Sequence, residues 1–231
     1  MVKKYEITKI IEDFAPLETQ EDWDCSGWIV ETLKSEVNRI MLALTVTEDV
    51  ITQARQKNCD MVISHHPLFF VPEKFKDIDI YCAHTNFDTA QGGTTDTLIE
   101  NIFGDVRVEN FGEFLRICDF EIPVDLETLK EKLRKISPNF RYTNNKNIKN
   151  FKKIAFCAGS GGEFIEEASN FGAEVLITGD LKFHTVLDSP IAVFDIGHFE
   201  SEILVLKVFE RLIGKKVEVV FADEKSPFNY L

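Results

Sequence analysis

One stretch of the chain falls on another at a single fixed offset, and the overlap carries nearly all of the side chains able to hold a metal. Ile40 to Asp88 aligns without a gap on Ile154 to Glu202. Ile40 meets Ile154, Asp49 meets Glu163, Ile51 meets Ile165 and Ala54 meets Ala168. Asp60-Met61-Val62-Ile63-Ser64 meets Glu174-Val175-Leu176-Ile177-Thr178. At the far end His84 meets His198 and Asp88 meets Glu202, so each copy ends in a histidine followed one helical turn later by a carboxylate. Few identities are exact; the unbroken register and the matching chemistry carry the case for duplication. Each copy reads as strand, helix, strand and polar turn, which restricts the chain to folds built from two similar α/β halves. A duplicated unit tends to pack against its copy, and sites form in crevices of that kind. The expectation is therefore two pseudo-repeated α/β domains with a metal site in the crevice between them.

Composition narrows the function. The 231 residues allow one large or two small domains, and the repeat selects two. A net charge of −13 opposes binding to nucleic acid or anionic membranes. It still permits a small anionic ligand, because a bound metal reverses the local field. No run approaches the ~18 apolar residues of a spanning helix. Glu12 and Asp13 interrupt any apolar leader core, so a cytoplasmic location is expected. The five cysteines form no C-x-x-C pair and read as small buried hydrophobes in a reducing compartment. The 20 phenylalanines predict an aromatic-rich core.

Periodicity places the elements. Apolar residues at Ile7, Ile10, Ile11 and Phe14 mark a helix, and Trp23 to Gly27 is a turn-rich connection. Val37 to Val46 reads as a strand, Glu48 to about Lys57 as a helix, and Met61 to Ser64 and Asp79 to Ala83 as buried strands. Gly92-Gly93 leads into a helix from about Thr94 to Ile102. Phe114 to Ile122 alternates like a strand, and Asp125 to Ile136 is helical. In the second copy, strands are predicted at Lys153–Ala158, Ala173–Thr178 and Ile191–Asp195, with helices near Glu163–Asn170 and Ser201–Leu212. Val217 to Phe221 closes as a strand. The predicted domains are 1–110 with 203–231, and 111–202.

The five histidines are His65, His66, His84, His184 and His198, and each lies just beyond a predicted strand. That is where α/β proteins place their sites. Adjacent side chains on extended backbone point apart, so His65 and His66 suit two ions better than one. The alternative is one ligand beside one hydrogen-bonded core residue. His198 and Glu202, spaced i and i+4, share a helical face and can grip one ion or bridge two. His84 and Asp88 repeat that spacing; Asp88 reads as a ligand, and His84 as a ligand, a supporting group or a proton carrier.

In the second copy Gly179-Asp180 replaces the histidine pair, and Lys182 and His184 follow. Asp180, Lys182 and His184 suit substrate contact or acid–base work; a helix cap and a surface lysine are the structural alternative. Gly159-Ser160-Gly161-Gly162 after a strand could offer amides to phosphate. It lacks the lysine of a P-loop and the spacing of a dinucleotide fingerprint, and a plain tight turn explains it as well.

Taken together, Trp23-Asp24-Cys25-Ser26-Gly27, Ile63-Ser64-His65-His66-Pro67-Leu68, His84-Thr85-Asn86-Phe87-Asp88, Gly159-Ser160-Gly161-Gly162, Ile177-Thr178-Gly179-Asp180-Leu181-Lys182, Gly197-His198-Phe199-Glu200-Ser201-Glu202 and Pro227-Phe228-Asn229-Tyr230-Leu231 resemble the Nif-three-like dinuclear-metal family. Its members are known as GTP cyclohydrolase 1 type 2 homologues. The resemblance spans almost the whole chain. It departs at Cys25 and Thr95, where the family usually has Asn; neither is a ligand position. The resemblance implies two metal ions on His65, His66, Asp88, His198 and Glu202, and a ring-like homohexamer. It also implies two halves without the inserted third domain of larger relatives.

The expected function is a dinuclear metal-dependent hydrolase, with metal-activated water attacking the purine imidazole ring of GTP. Hydrolysis follows from two ions sharing Glu202; the nucleotide follows from the resemblance alone. His84 and His184 are the expected proton carriers, and Lys182, Asp180 and Gly161 the substrate contacts. Zinc, manganese, iron or nickel would suit the donors. The alternative is a metal-handling or partner-binding protein without turnover.

Overall fold

The computed structural model describes residues 1–111 and 113–229. The end motif at 227–231 therefore includes two residues, Tyr230 and Leu231, outside the described part. By packing, the chain divides into two compact units: Met1–Gly93 with Val205–Lys225, and Thr94–Leu204 with Ser226–Leu231.

The first unit opens with β1 (Val2–Lys3) and α1 (Lys4–Phe14). The apolar stripe of α1 faces inward, and Ile7 and Ile11 are fully buried. β2 (Gly27–Val30) forms where only a connection was expected, and β3 (Glu36–Val37) pairs back on β1. β4 (Arg39–Thr45) is buried continuously from Ile40 to Leu44, as a parallel strand covered on both faces must be. α2 (Glu48–Gln56) starts at Thr47, whose Oγ1 accepts a bond from the Val50 amide. β5 (Met61–His66), β6 (Asp79–Cys82) and α3 (Thr85–Thr89) follow. The Phe87 ring on α3 lies 5.0 Å from that of Phe14 and 4.4 Å from that of Phe209, which fixes the short helix carrying Asp88.

The second unit runs α4 (Thr94–Phe103), β7 (Val108–Phe111), β8 (Leu115–Asp125), α5 (Leu126–Arg134), β9 (Arg141–Thr143), β10 (Asn150–Ser160), α6 (Ile165–Asn170), β11 (Val175–Gly179), α7 (Phe183–Leu187), β12 (Ala192–Asp195) and α8 (His198–Glu202). α9 (Leu206–Ile213) and β13 (Glu218–Phe221) return to the first unit. A 3₁₀ turn at Ile203–Val205 breaks the single helix expected over Ser201–Leu212. α4 groups with the second unit because Leu98, Ile99 and Ile102 share an apolar cluster with Phe156 and Phe194. The boundary thus falls at Gly93 instead of near residue 110.

Among the described residues, the first unit holds a five-stranded sheet in the order β13-β4-β5-β6-β2. Its first four strands are parallel and β2 is antiparallel. The second holds a six-stranded sheet, β7-β8-β10-β11-β12-β9, parallel through β10, β11 and β12. On one face of that sheet lie Ile154, Phe156, Val175, Ile177 and Phe194, and on the other Ala155, Cys157, Leu176 and Val193. Losing one such side chain, as in Phe156→Ala, costs about 3–5 kcal/mol.

The two copies agree strand for strand. Ile40 faces Met61 in the first, and their repeat mates Ile154 and Val175 face each other in the second. The third strand slips. Val62 faces Ile80, whereas Leu176 faces Val193, one residue earlier than the ungapped alignment demands. Gly197 restores the spacing ahead of His198. Its φ of 87° lies in the left-handed region that favours glycine. No helix among the described residues is long and apolar enough to cross a membrane.

Candidate metal site

In the first unit, β5 continues through the histidine pair instead of ending before it. The two rings were expected to diverge, yet their centroids lie 5.2 Å apart. His66 closes the strand, where Ser64 Oγ donates to its carbonyl at 2.9 Å and Thr45 Oγ1 holds its ring. His84 precedes α3 and points its ring into the same cluster, 5.2 Å from His65 and 5.6 Å from His66. One ring nitrogen from each of the three can be chosen so that all lie within 4.8 Å of one another. Asp88 brings Oδ1 to 3.4 Å from His65 Nε2.

Each imidazole is oriented through its Nδ1. His65 Nδ1 lies 3.0 Å from the Ala83 carbonyl oxygen, which can only accept. A proton therefore sits on Nδ1, and Nε2 is the nitrogen that faces Asp88. His66 Nδ1 lies 2.7 Å from Thr45 Oγ1. His84 Nδ1 lies 3.0 Å from Asp24 Oδ1. Asp24 also accepts from Thr85 N at 3.0 Å, Thr85 Oγ1 at 2.6 Å and Cys25 N at 2.7 Å. Burial pushes its carboxyl upward, but the bonds from His84 and Thr85 outweigh that and hold it well below the usual carboxylate range.

In the second unit, α8 delivers His198 and Glu202 on one face, with Nε2 and Oε2 2.9 Å apart. His198 Nδ1 lies 2.8 Å from Asp180 Oδ2. Burial lowers the pKa of His198, but the bonds and charges of Glu202 and Asp180 reverse this and raise it to about 9. Glu202 is 4% exposed and sits against Gly159, where a Cβ would fall 2.2 Å from its Oε1. The backbone here has been kept bare for the carboxylate.

Asp180, expected to touch substrate, spends Oδ2 on His198 and adopts φ 53°, a left-handed conformation that Asp tolerates better than most residues. It stands at the repeat position of His66, and Gly179 at that of His65. A Cβ on Gly179 would fall 2.7 Å from the His198 amide, so the second copy has no room for an imidazole there. Gly161, also expected on the substrate side, is the residue before the 3₁₀ turn Gly162–Phe164. Its amide donates to Thr178 Oγ1 at 2.8 Å, and that of Gly159 to Ser201 Oγ at 2.9 Å. Lys182 and His184 are exposed at the start of α7 and join none of the potential metal groups among the described residues.

Sequence reading missed Asp24 and Thr45 as supports. Asp24 stood inside Trp23-Asp24-Cys25-Ser26-Gly27, but nothing local ties it to His84, 60 residues away. The donor set fits divalent transition ions, because it combines imidazole and carboxylate. Ligand histidines characteristically give their second nitrogen to a carboxylate or carbonyl, as His65, His84 and His198 do here, while that of His66 meets a hydroxyl.

A profile of the Duf34/NIF3 family (NGG1p interacting factor 3) matches residues 2–227. A Clostridium perfringens protein named GTP cyclohydrolase 1 type 2 homolog is 34% identical over 272 residues, covering 100% of both chains. One of the same name from Clostridium acetobutylicum is 35% identical over 232 residues, covering 87% of this chain and 85% of its own. Among solved structures, reduced HcgD from Methanocaldococcus jannaschii gives a TM-score of 0.84 at 25% identity, covering 96% of this chain and 98% of that one.

Proposed function

The chain belongs to the Duf34/NIF3 family, and from that premise we propose that it is a dinuclear metal-dependent hydrolase opening the purine imidazole ring of GTP. The proposed ligands of the two ions are His65, His66, Asp88, His198 and Glu202. The observation that carries this reading is the anchoring of Nδ1 by the Ala83 carbonyl on His65 and by Asp180 on His198, with Thr45 Oγ1 beside that of His66, which supports a metal-binding role for Nε2 in these three. The bare backbone of Gly159 beside Glu202 supports the same reading.

When bound, the ions would supply a hydrolytic nucleophile at neutral pH. His84 handles the proton. Asp24 holds its Nδ1–H and stays ionised, so Nε2 can take a proton and the resulting imidazolium is stabilised. The same nitrogen then returns the proton to the ring nitrogen that leaves as the carbon–nitrogen bond breaks. Trp23, beside His84 at 5.8 Å between ring centroids, offers a face to the base. The exposed Lys182 and His184 are proposed as substrate-side groups, and the ring-like hexamer as the assembly.

The test loads purified protein with zinc, manganese, iron or nickel, counts ions per chain and follows loss of the purine chromophore of GTP. Two ions per chain, lost in His66→Ala and in Glu202→Gln, together with turnover, support the reading. Fully loaded protein that leaves GTP intact refutes the hydrolase. Rapid transfer of its ions to an acceptor would then favour metal handling.

A further inference from the structure

We infer that Glu224 is a positioning residue for the metal site, acting through Thr45 to set the His66 imidazole. The inference rests on the reading of His66 as a metal ligand. After β13 the chain stays on the first unit. Ala222 N donates to Leu42 O at 2.9 Å, extending the ladder past the end of the strand. Asp223 and Gln53 exchange two bonds, at 2.8 and 3.1 Å. Glu224 then turns its carboxylate onto the end of β4: Oε2 accepts from Leu44 N at 2.7 Å and Oε1 from Thr45 N at 2.9 Å.

Those two amides lie beyond the last β13 pairing, Phe221 with Leu42, where the parallel neighbour has run out. A strand end in that position needs acceptors, and an ionised one is roughly twice as strong as a neutral one. Thr45 is also the residue opposite His66 in the β4–β5 ladder, and its Oγ1 lies 2.7 Å from His66 Nδ1. One carboxylate therefore clamps the residue whose hydroxyl orients the ring. His84 and His198 have Asp24 and Asp180 directly on Nδ1. His66 has a hydroxyl there and a carboxylate one step behind it.

The test compares Glu224→Gln, Glu224→Asp, Thr45→Val, Thr45→Ser and His66→Ala by competition for zinc with a chelating dye. The visible spectrum of the cobalt-loaded protein and the thermal midpoint are read alongside. Glu224→Gln turns an amide NH₂ toward a backbone N–H, and Glu224→Asp withdraws the charge by one methylene. Both, and Thr45→Val, are expected to weaken metal binding about 10–100-fold. They should also move the cobalt spectrum toward that of His66→Ala, while Thr45→Ser restores the parent spectrum. A lowered midpoint with parental affinity and spectrum in both Glu224 variants would make Glu224 a tail clamp only and overturn the inference. If His66→Ala itself keeps parental affinity and spectrum, the ligand assignment fails, and the positioning role with it.

Discussion

His84 Nδ1 lies 3.0 Å from Oδ1 of Asp24, a carboxylate with no exposed side-chain surface. Four further groups converge on the same acid: Cys25 N, Ser26 Oγ, Thr85 N and Thr85 Oγ1. It is held ionised and immobile beside the ring it orients. Asp24→Asn keeps the shape and removes the charge that stabilises an imidazolium. GTP turnover is expected to fall about 10²–10⁴-fold, the usual worth of acid–base catalysis. Metal content should stay at the parental level; loss of metal in this variant would make His84 a ligand instead.

Gly159→Ala should strike Glu202 directly. The added Cβ would sit 2.2 Å from Oε1, at a φ of 69° that costs an alanine about 1–2 kcal/mol. Elemental analysis after dialysis is expected to find at least one ion gone, with a lowered thermal midpoint. Retention of a full metal complement would show that Glu202 has another way to turn.

Protons compete with metal at His198. Its folded pKa of about 9 lies above the ordinary value of 6.5. In metal-free protein the contribution of this group to stability is complete below pH 6.5 and disappears as pH rises through about 9. Binding of an ion there at pH 7 must expel a proton, so affinity rises with pH over the same window. Calorimetry in buffers of different ionisation heat is expected to detect that proton; binding at pH 7 with no proton released would refute this.

Trp23 is 60% exposed, and its ring stands T-shaped to that of His84. If the ring takes one face of the base, Trp23→Ala should lose stacking of about 1–3 kcal/mol, an increase in KM of about 5–150-fold. The value of kcat should change little, the mark of binding shared by ground and transition states. An unchanged KM would remove the indole from substrate contact.

The local patterns of the chain were sufficient for its buried strands and its first helix. Continuous apolar runs at Ile40–Leu44 and Ile154–Cys157 became the buried parallel strands, and the stripe of α1 became its inner face. β2 was missed, because Gly27 to Val30 follows a turn and acquires its strand character from pairing with β6. Gly161 carried no distinct signal, because glycine looks the same whether it makes room for a ligand or for Cys157, whose Cβ lies 2.6 Å from where an added Cβ would sit.

By itself the sequence determined the two-copy α/β plan and marked the candidate donors, since both are written in residue type and short periods. Tertiary structure decided which nitrogen each imidazole presents, that Asp180 serves His198, and that the third strand of the second copy slips by one residue. Those outcomes depend on partners far apart in the chain: Asp24 with His84, Thr45 with His66, Gly159 with Glu202. A hydrogen bond or a steric limit acts over about 3 Å, and only the folded sheet brings such residues that close.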